Sequence, residues 1–261
     1  LNMTKIKSTI FIFLGFSFLF GVIPNKKAHQ EDDLGNTPNQ FTNSRVVTSS
    51  SYFNGNEWYA RVVNDGQWAA DEPASASGGL WPRGSNNSVL WDAGLWIGFK
   101  DDQDNIQFSG VRYQSDFTPG PYGVTDSDNE NYRVYKVNRW DDATVSDWSD
   151  WPVDMGAPWQ DNNSDGSYDP AVDQPYLPLD QTLYSVYNDS TDHPVFGTSI
   201  NGIEVHQTIF GGVSSAHSDL SRTFFIKYDV IKLKITMYFT WNAFINFLPR
   251  NIIHQYINRR Y

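Results

Sequence analysis

The stretch of this sequence best suited to specific chemistry is Asp161-Asn162-Asn163-Ser164-Asp165-Gly166-Ser167-Tyr168-Asp169-Pro170. It sets oxygen-bearing side chains at alternate positions, Asp161, Asn163 and Asp165, and follows them with Gly166. A hard cation such as Ca2+ takes about six to eight oxygen ligands at about 2.3–2.6 Å. Alternate residues of a tight loop can turn carboxylate and amide oxygens inward, and a glycine just after them permits the sharp turn. The next ligand in such loops is a backbone carbonyl, here that of Ser167, and Asp169 stands where an acid ligates directly or through water. The usual closing acid is replaced by Val172, with Asp173 one residue further on. Whether Asp173 serves depends on how Pro170 shapes the loop. The expected ligand set is therefore Asp161, Asn163, Asp165, Ser167, Asp169 and Asp173. Prolines and aromatics flank the loop, so the expectation is an EF-hand-like calcium loop without its helix pair, structural in role. The competing reading is an Asx-rich surface turn, since Asp, Asn and Gly favour turns without any metal.

No other residues assemble into a recognisable catalytic pattern. The sequence has no G-x-S-x-G and no H-E-x-x-H. His193, His206 and His217 are scattered, and His206 falls in an alternating run with Glu204 and Thr208, where a half-buried strand residue is expected. The chain is acidic enough for a glycosidase carboxylate pair, yet no spacing singles one out. The acid clusters at 101–104 and 126–130 read as solvated turns. Nine of the ten tryptophans lie before residue 160. Packing in a turn-rich β domain explains them; exposed rings that stack on sugars are the alternative.

The elements that must position these residues are short strands. WYARVV (58–63), SVLWDAGLWIGF (88–99), IQFSGVRY (106–113), YRVYKV (132–137), TLYSVY (182–187), GIEVHQTIFGG (202–212) and TFFIKYDVI (223–231) are rich in β-branched and aromatic residues. Several alternate apolar with polar, and Gly, Pro, Asn and Asp separate them. That pattern predicts an all-β, β-sandwich-like module over 52–231 with long turn-rich loops, as one domain or two subdomains.

Both ends differ from this middle. Lys5 and Lys7 precede an uncharged, Phe-, Ile- and Leu-rich run to Ile23, which Pro24 ends. A charged start, a short apolar run and a polar exit define a signal peptide, expected as a helix over 1–28, with an uncleaved anchor as the alternative. Residues 29–51 are polar and aperiodic, a linker. Residues 232–261 contain no Asp, Glu or Gly and are dense in Lys, Ile, Asn, Phe, Tyr and Arg. This is the bias of AT-rich DNA read out of frame, so a frameshift near Ile231 is expected; a genuine basic or membrane-contacting tail is the alternative.

Charge narrows the function. The chain carries −11 in all, but every one of its 30 acids and only ten of its 19 bases fall within 31–231, giving −20 there. Such a surface repels phosphates, which excludes nucleic acid as a partner, and attracts divalent cations. The absence of cysteine excludes disulfides and thiolate metal sites.

The segments NDGQWAADE (64–72), GLWPRGSNNSVLWDAGLWIGF (79–99), DFTPGP (116–121), DWPVDMGAPWQDNNSDGSYDPAVDQP (150–175), DQTLYSVYND (180–189) and GTSINGIEVHQTIFGG (197–212) resemble the N-terminal region of large secreted proteins of Bacteroidetes. These usually end in a type IX secretion sorting domain. The resemblance implies a D-x-[DN]-x-[DN]-G-x-Y-D-P loop matching Asp161 to Pro170, with a later acid matching Asp173. It also implies a longer chain beyond β-strand FIKYDVI, so this one reads as a fragment. The function expected is a secreted or cell-surface adhesion-type module, with surface glycans or other cell-surface proteins as partners and membrane contact only through the signal peptide. A carbohydrate-binding or carbohydrate-active protein is the alternative. Export across the inner membrane is expected, with secretion or cell-surface display in the full-length relative and the periplasm as the alternative for this chain.

Overall fold

The apolar alternation in the second half of the chain builds one continuous antiparallel meander. In this computed structural model, which describes residues 8–10, 49–71, 76–101, 103–124, 126 and 128–232, strands β15 (Gln181–Asn188), β16 (Ile203–Gly211) and β17 (Phe224–Lys232) pair in sequence order. Two short strands, β11 (Thr118–Pro119) and β12 (Tyr135–Asn138), add to the free side of β15. On the far edge, β1 (Ser8–Ile10) pairs with β17, Thr9 opposite Asp229.

Of the run read as a signal-peptide helix, Ser8–Ile10 are the described residues. The rest of residues 1–48, and with it the cleavage point and most of the linker, lies outside the described residues, as do residues 233–261 of the basic tail.

Two smaller sheets pack on one face of this meander. One consists of β2 (Ser50–Phe53), β3 (Tyr59–Val63), β6 (Gly79–Leu80) and β7 (Ser88–Leu90). The other is β8 (Trp96–Lys100), β9 (Ile106–Arg112) and β10 (Gln114–Ser115). Phe53, Val62 and Trp68 meet Leu183 and Ile209 beneath the first; Leu95 and Val111 meet Tyr187, Val205 and Tyr228 beneath the second. On the opposite face of the meander, Trp151 and Ala157 pack with Tyr184 and Val186 of β15 and their neighbours Tyr135 and Val137 of β12. Every position of β15 is buried as a result. A strand covered on both faces loses the polar half of its alternation, which is why TLYSVY reads as nearly continuous.

The chain is all-β, as its patterning predicts. Among the described residues the only α-helix is α1 (Ser146–Ser149), one turn long. Two ribbons of two residues per strand complete the set: β4 (Ala70–Asp71) with β5 (Ala76–Ser77), and β13 (Trp159–Gln160) with β14 (Gln174–Pro175). The second ribbon frames the acidic loop.

Candidate metal-binding loop

The acidic loop is an excursion between two cross-strand neighbours. Gln160 and Gln174 face each other in β13 and β14, and Gln174 Nε2 donates to Gln160 Oε1 at 2.8 Å. Tyr176 N–H donates to the Pro158 carbonyl at 2.9 Å, extending the ladder one step outward. Aromatic residues fasten the loop to the body. The Tyr168 hydroxyl donates to the Trp148 carbonyl at 2.7 Å, Trp148 Nε1 donates to the Pro170 carbonyl at 3.2 Å, and Tyr168 meets Trp159 edge to face. Burial, and then the nearby Asp173 charge, push the Tyr168 hydroxyl well up, so it stays a neutral donor.

Within this frame Asp161 organises the turn. Its Oδ1 accepts the N–H of Ser164 at 2.6 Å and of Asp165 at 3.3 Å, and its Oδ2 accepts the N–H of Gly166 at 2.9 Å. Ser164 and Gly166 both adopt positive φ, 61° and 78°. Glycine takes that conformation without strain, and no side chain could be added at Gly166 without incurring it. Asn163 and Asp165 are exposed and joined, Asn163 Nδ2 donating to Asp165 Oδ2 at 2.8 Å. Asp165 Oδ1 accepts the N–H of exposed Ser167 at 2.8 Å. Asp169 Oδ1 caps a turn by accepting from Ala171 N–H at 2.9 Å.

Asp173 differs from the rest in being buried. Its Oδ1 accepts Asn162 N–H at 2.9 Å and its Oδ2 accepts Asp169 N–H at 2.8 Å. Asn162 Nδ2 reaches the Val172 carbonyl at 2.7 Å, closing the loop a second time. The loop thus gathers Asp161, Asn163, Asp165 and Ser167 in one set of contacts and Asp169 with Asp173 in another. Among the described residues, no three His, Cys, Asp or Glu side chains come together as a metal-ligand set. The spacing did not reveal Asp173 as a backbone clamp, nor Asn162 and Tyr168 as supports; the alternation of Asp and Asn carried no sign of which side chain turns inward.

Two other polar groupings invite a catalytic reading, and geometry answers it. Ser109, Asp189 and His193 lie together inside the protein, but the Ser109 hydroxyl donates to Asp189 Oδ2 at 3.2 Å rather than to histidine. His193 bonds to Thr198 Oγ1 and the Asp189 carbonyl. The Asp189 carboxylate also takes the N–H of Asn201 at 3.0 Å and Ile203 at 2.7 Å. Burial raises its proton affinity, against those same N–H donors. This network ties β9 to the β15–β16 connection. Glu204 and His206, 2.8 Å apart, share the half-buried face of β16; Glu204 also accepts Tyr122 N–H at 2.7 Å. His206 lies under Gly156, where an added Cβ would come within 2.3 Å of its ring. That is the half-buried strand histidine the sequence predicts.

The tryptophans divide. Trp68 and Trp151 are buried, whereas Trp91, Trp96 and Trp140 are exposed. The Trp96 ring lies over Gly110 and its Nε1 donates to the Val111 carbonyl at 2.6 Å. Comparison with protein-family models, curated proteins and solved structures gives no match.

Proposed function

We propose that this chain is a secreted or cell-surface structural module, adhesion-type in role, whose 161–173 loop is stabilised by calcium. The observation that carries the reading is the Asp161 carboxylate, turned into the loop and surrounded by the N–H groups of Ser164, Asp165 and Gly166. Each carboxylate oxygen has two lone-pair directions, so Asp161 Oδ2, with one N–H partner, keeps one for a cation. Asp161, Asn163, Asp165, the Ser167 carbonyl and Asp169 would hold the ion, all hard oxygen donors of the kind calcium takes. Asp173 keeps its lone pairs beside Asp169 and would act in its support. The Asn163–Asp165 bond is solvent-exposed and its loss on ion binding costs little.

The segments that resemble large secreted Bacteroidetes proteins and the charge-then-apolar start support export. Calorimetric titration of the chain with CaCl2 tests the calcium reading. Binding with Kd of about 10⁻⁴–10⁻³ M is expected, abolished in Asp161→Ala and Asp165→Ala. Heats unchanged by those substitutions overturn it.

A further inference from the structure

A cleft opens beside the ribbon that carries the acidic loop. It has a volume of about 380 Å³ and is lined by Arg139, Trp148, Gln160, Gln174, Tyr176 and Leu177 among others. Small-molecule sites run from about 300 to 1,000 Å³, with apolar walls and a few placed polar groups. This cleft reaches that volume, and its lining is about as polar as apolar. Trp148 and Tyr176 give it aromatic walls; Gln160 and Gln174 set two planar amides side by side, fixed to each other at 2.8 Å.

The walls are held in place before any ligand arrives. Trp148 Nε1 is bonded to the Pro170 carbonyl, and Tyr176 packs edge to face on Phe210, with ring centroids 6.2 Å apart. Gln160 Nε2 donates one hydrogen to Asn162 Oδ1 at 2.7 Å. The one charged lining residue, Arg139, is paired with Asp180 at 3.1 Å. The cleft therefore presents amide donors and acceptors and aromatic surface with its charge already balanced, in a surface that is acidic around it.

We infer that this cleft is a saccharide subsite, taking one neutral pyranose unit of a glycan chain. The C–H groups on one face of a pyranose pack on aromatic rings, and its ring hydroxyls match amide groups that both donate and accept. The acidic surroundings disfavour a polyanionic glycan. The inference goes beyond the calcium reading and does not need it.

The test is titration of the full chain, by calorimetry and tryptophan fluorescence, with cellohexaose, xylohexaose, mannohexaose, laminarihexaose and maltohexaose, and with oligogalacturonate as the acidic counterpart. At least one neutral hexasaccharide is expected to bind, with or without EDTA. Tyr176→Ala and the double variant Gln160→Ala/Gln174→Ala are each expected to weaken it at least about tenfold, while Trp96→Ala leaves it unchanged. Tyr176 and Gln160 are exposed, and near-ultraviolet circular dichroism confirms that the variants keep their fold. Failure of all five neutral sugars overturns the inference, as does binding that survives the cleft substitutions, follows Trp96, or is matched by oligogalacturonate. Loss of calcium binding with glycan binding retained would sink only the calcium reading.

Discussion

Asp173 and Asn162, at opposite ends of the acidic loop, are joined at 2.9 Å from backbone N–H to buried carboxylate. The other oxygen of Asp173 holds Asp169 N–H at 2.8 Å. One side chain therefore fixes the entry and the exit of a loop whose tip is exposed. A sequence scan for calcium ligands finds Asp173 only as a misplaced closing acid. Its place in the structure is that of a clamp, which sets the loop's shape whether or not an ion is bound.

Asp173→Ala removes both acceptors and leaves two N–H groups, one at each end of the loop, unpaired. An unsatisfied buried donor costs about 1–3 kcal/mol; these two are part-buried, on exposed Asn162 and Asp169, so a loss at the low end, about 1 kcal/mol, is expected by urea denaturation. Asp173→Asn keeps one acceptor oxygen and should lose less. Equal stability of Asp173→Ala and the parent chain would show that water satisfies these donors and that the clamp is dispensable.

The long strands were legible because their residues alternate against a single partner face. β16 is the clearest case: Ile203, Val205 and Ile209 are buried on one side, while Glu204 and His206 are half-exposed on the other. The run 88–99 was read as one element and is two. Between β7 and β8, Ala93 bridges to Trp68, and Gly94 lies so close to Val111 that an added Cβ would sit 2.4 Å from its Cβ. Nothing local announces that break; it is imposed by residues far off in sequence. Asn56 shows the same limit, because its side chain binds the Leu220 and Thr223 carbonyls, more than 160 positions away. Short ribbons such as β13–β14 depend on such contacts; the loop they frame was legible as a spaced Asp/Asn pattern, and the cleft beside it was not legible.

Trp68 joins the two small sheets to the meander. It bridges to Val62 and Ala93, is almost wholly buried, and meets Phe224 edge to face at 5.5 Å. Truncating a buried tryptophan costs about 3–5 kcal/mol. Trp68→Ala is expected to lie in that range by chemical denaturation, the largest loss among single tryptophan variants. Trp140→Ala, at a largely exposed residue, should change stability by less than about 0.5 kcal/mol.

Gly66 tests the turn between β3 and Trp68. Its φ is 87°, and a Cβ there would fall 2.7 Å from the ring of Tyr187, which is itself buried. Gly66→Ala meets two penalties together, left-handed backbone strain of about 1–2 kcal/mol and overpacking of about 1–3 kcal/mol. A total near 3 kcal/mol is expected in denaturant unfolding. The double variant Gly66→Ala/Tyr187→Leu removes the ring contact and should show a smaller loss than the sum of the two single variants; strict additivity would mean that the alanine methyl does not meet the ring.

Asp65, in that same turn, gives the module a pH dependence with a definite sign. Burial lifts its carboxyl from the ordinary 3.8 to about 6, against the stabilising N–H of Gln67. The folded state therefore holds this proton more tightly than the unfolded chain. The contribution is fully present below about pH 4 and is lost as pH rises through about 6, because the unfolded state ionises first over that window. Asp65→Asn has no proton to lose there, and its amide oxygen can still accept from Gln67. Measured by urea unfolding from pH 4 to 8, the variant should gain on the parent chain steadily between about pH 4 and 6 and hold a constant advantage above that. The neighbouring Asp92, also raised by burial, titrates in both proteins and leaves the difference readable. A gap between variant and parent that stays flat across this range would place the Asp65 carboxyl in solvent rather than in the turn.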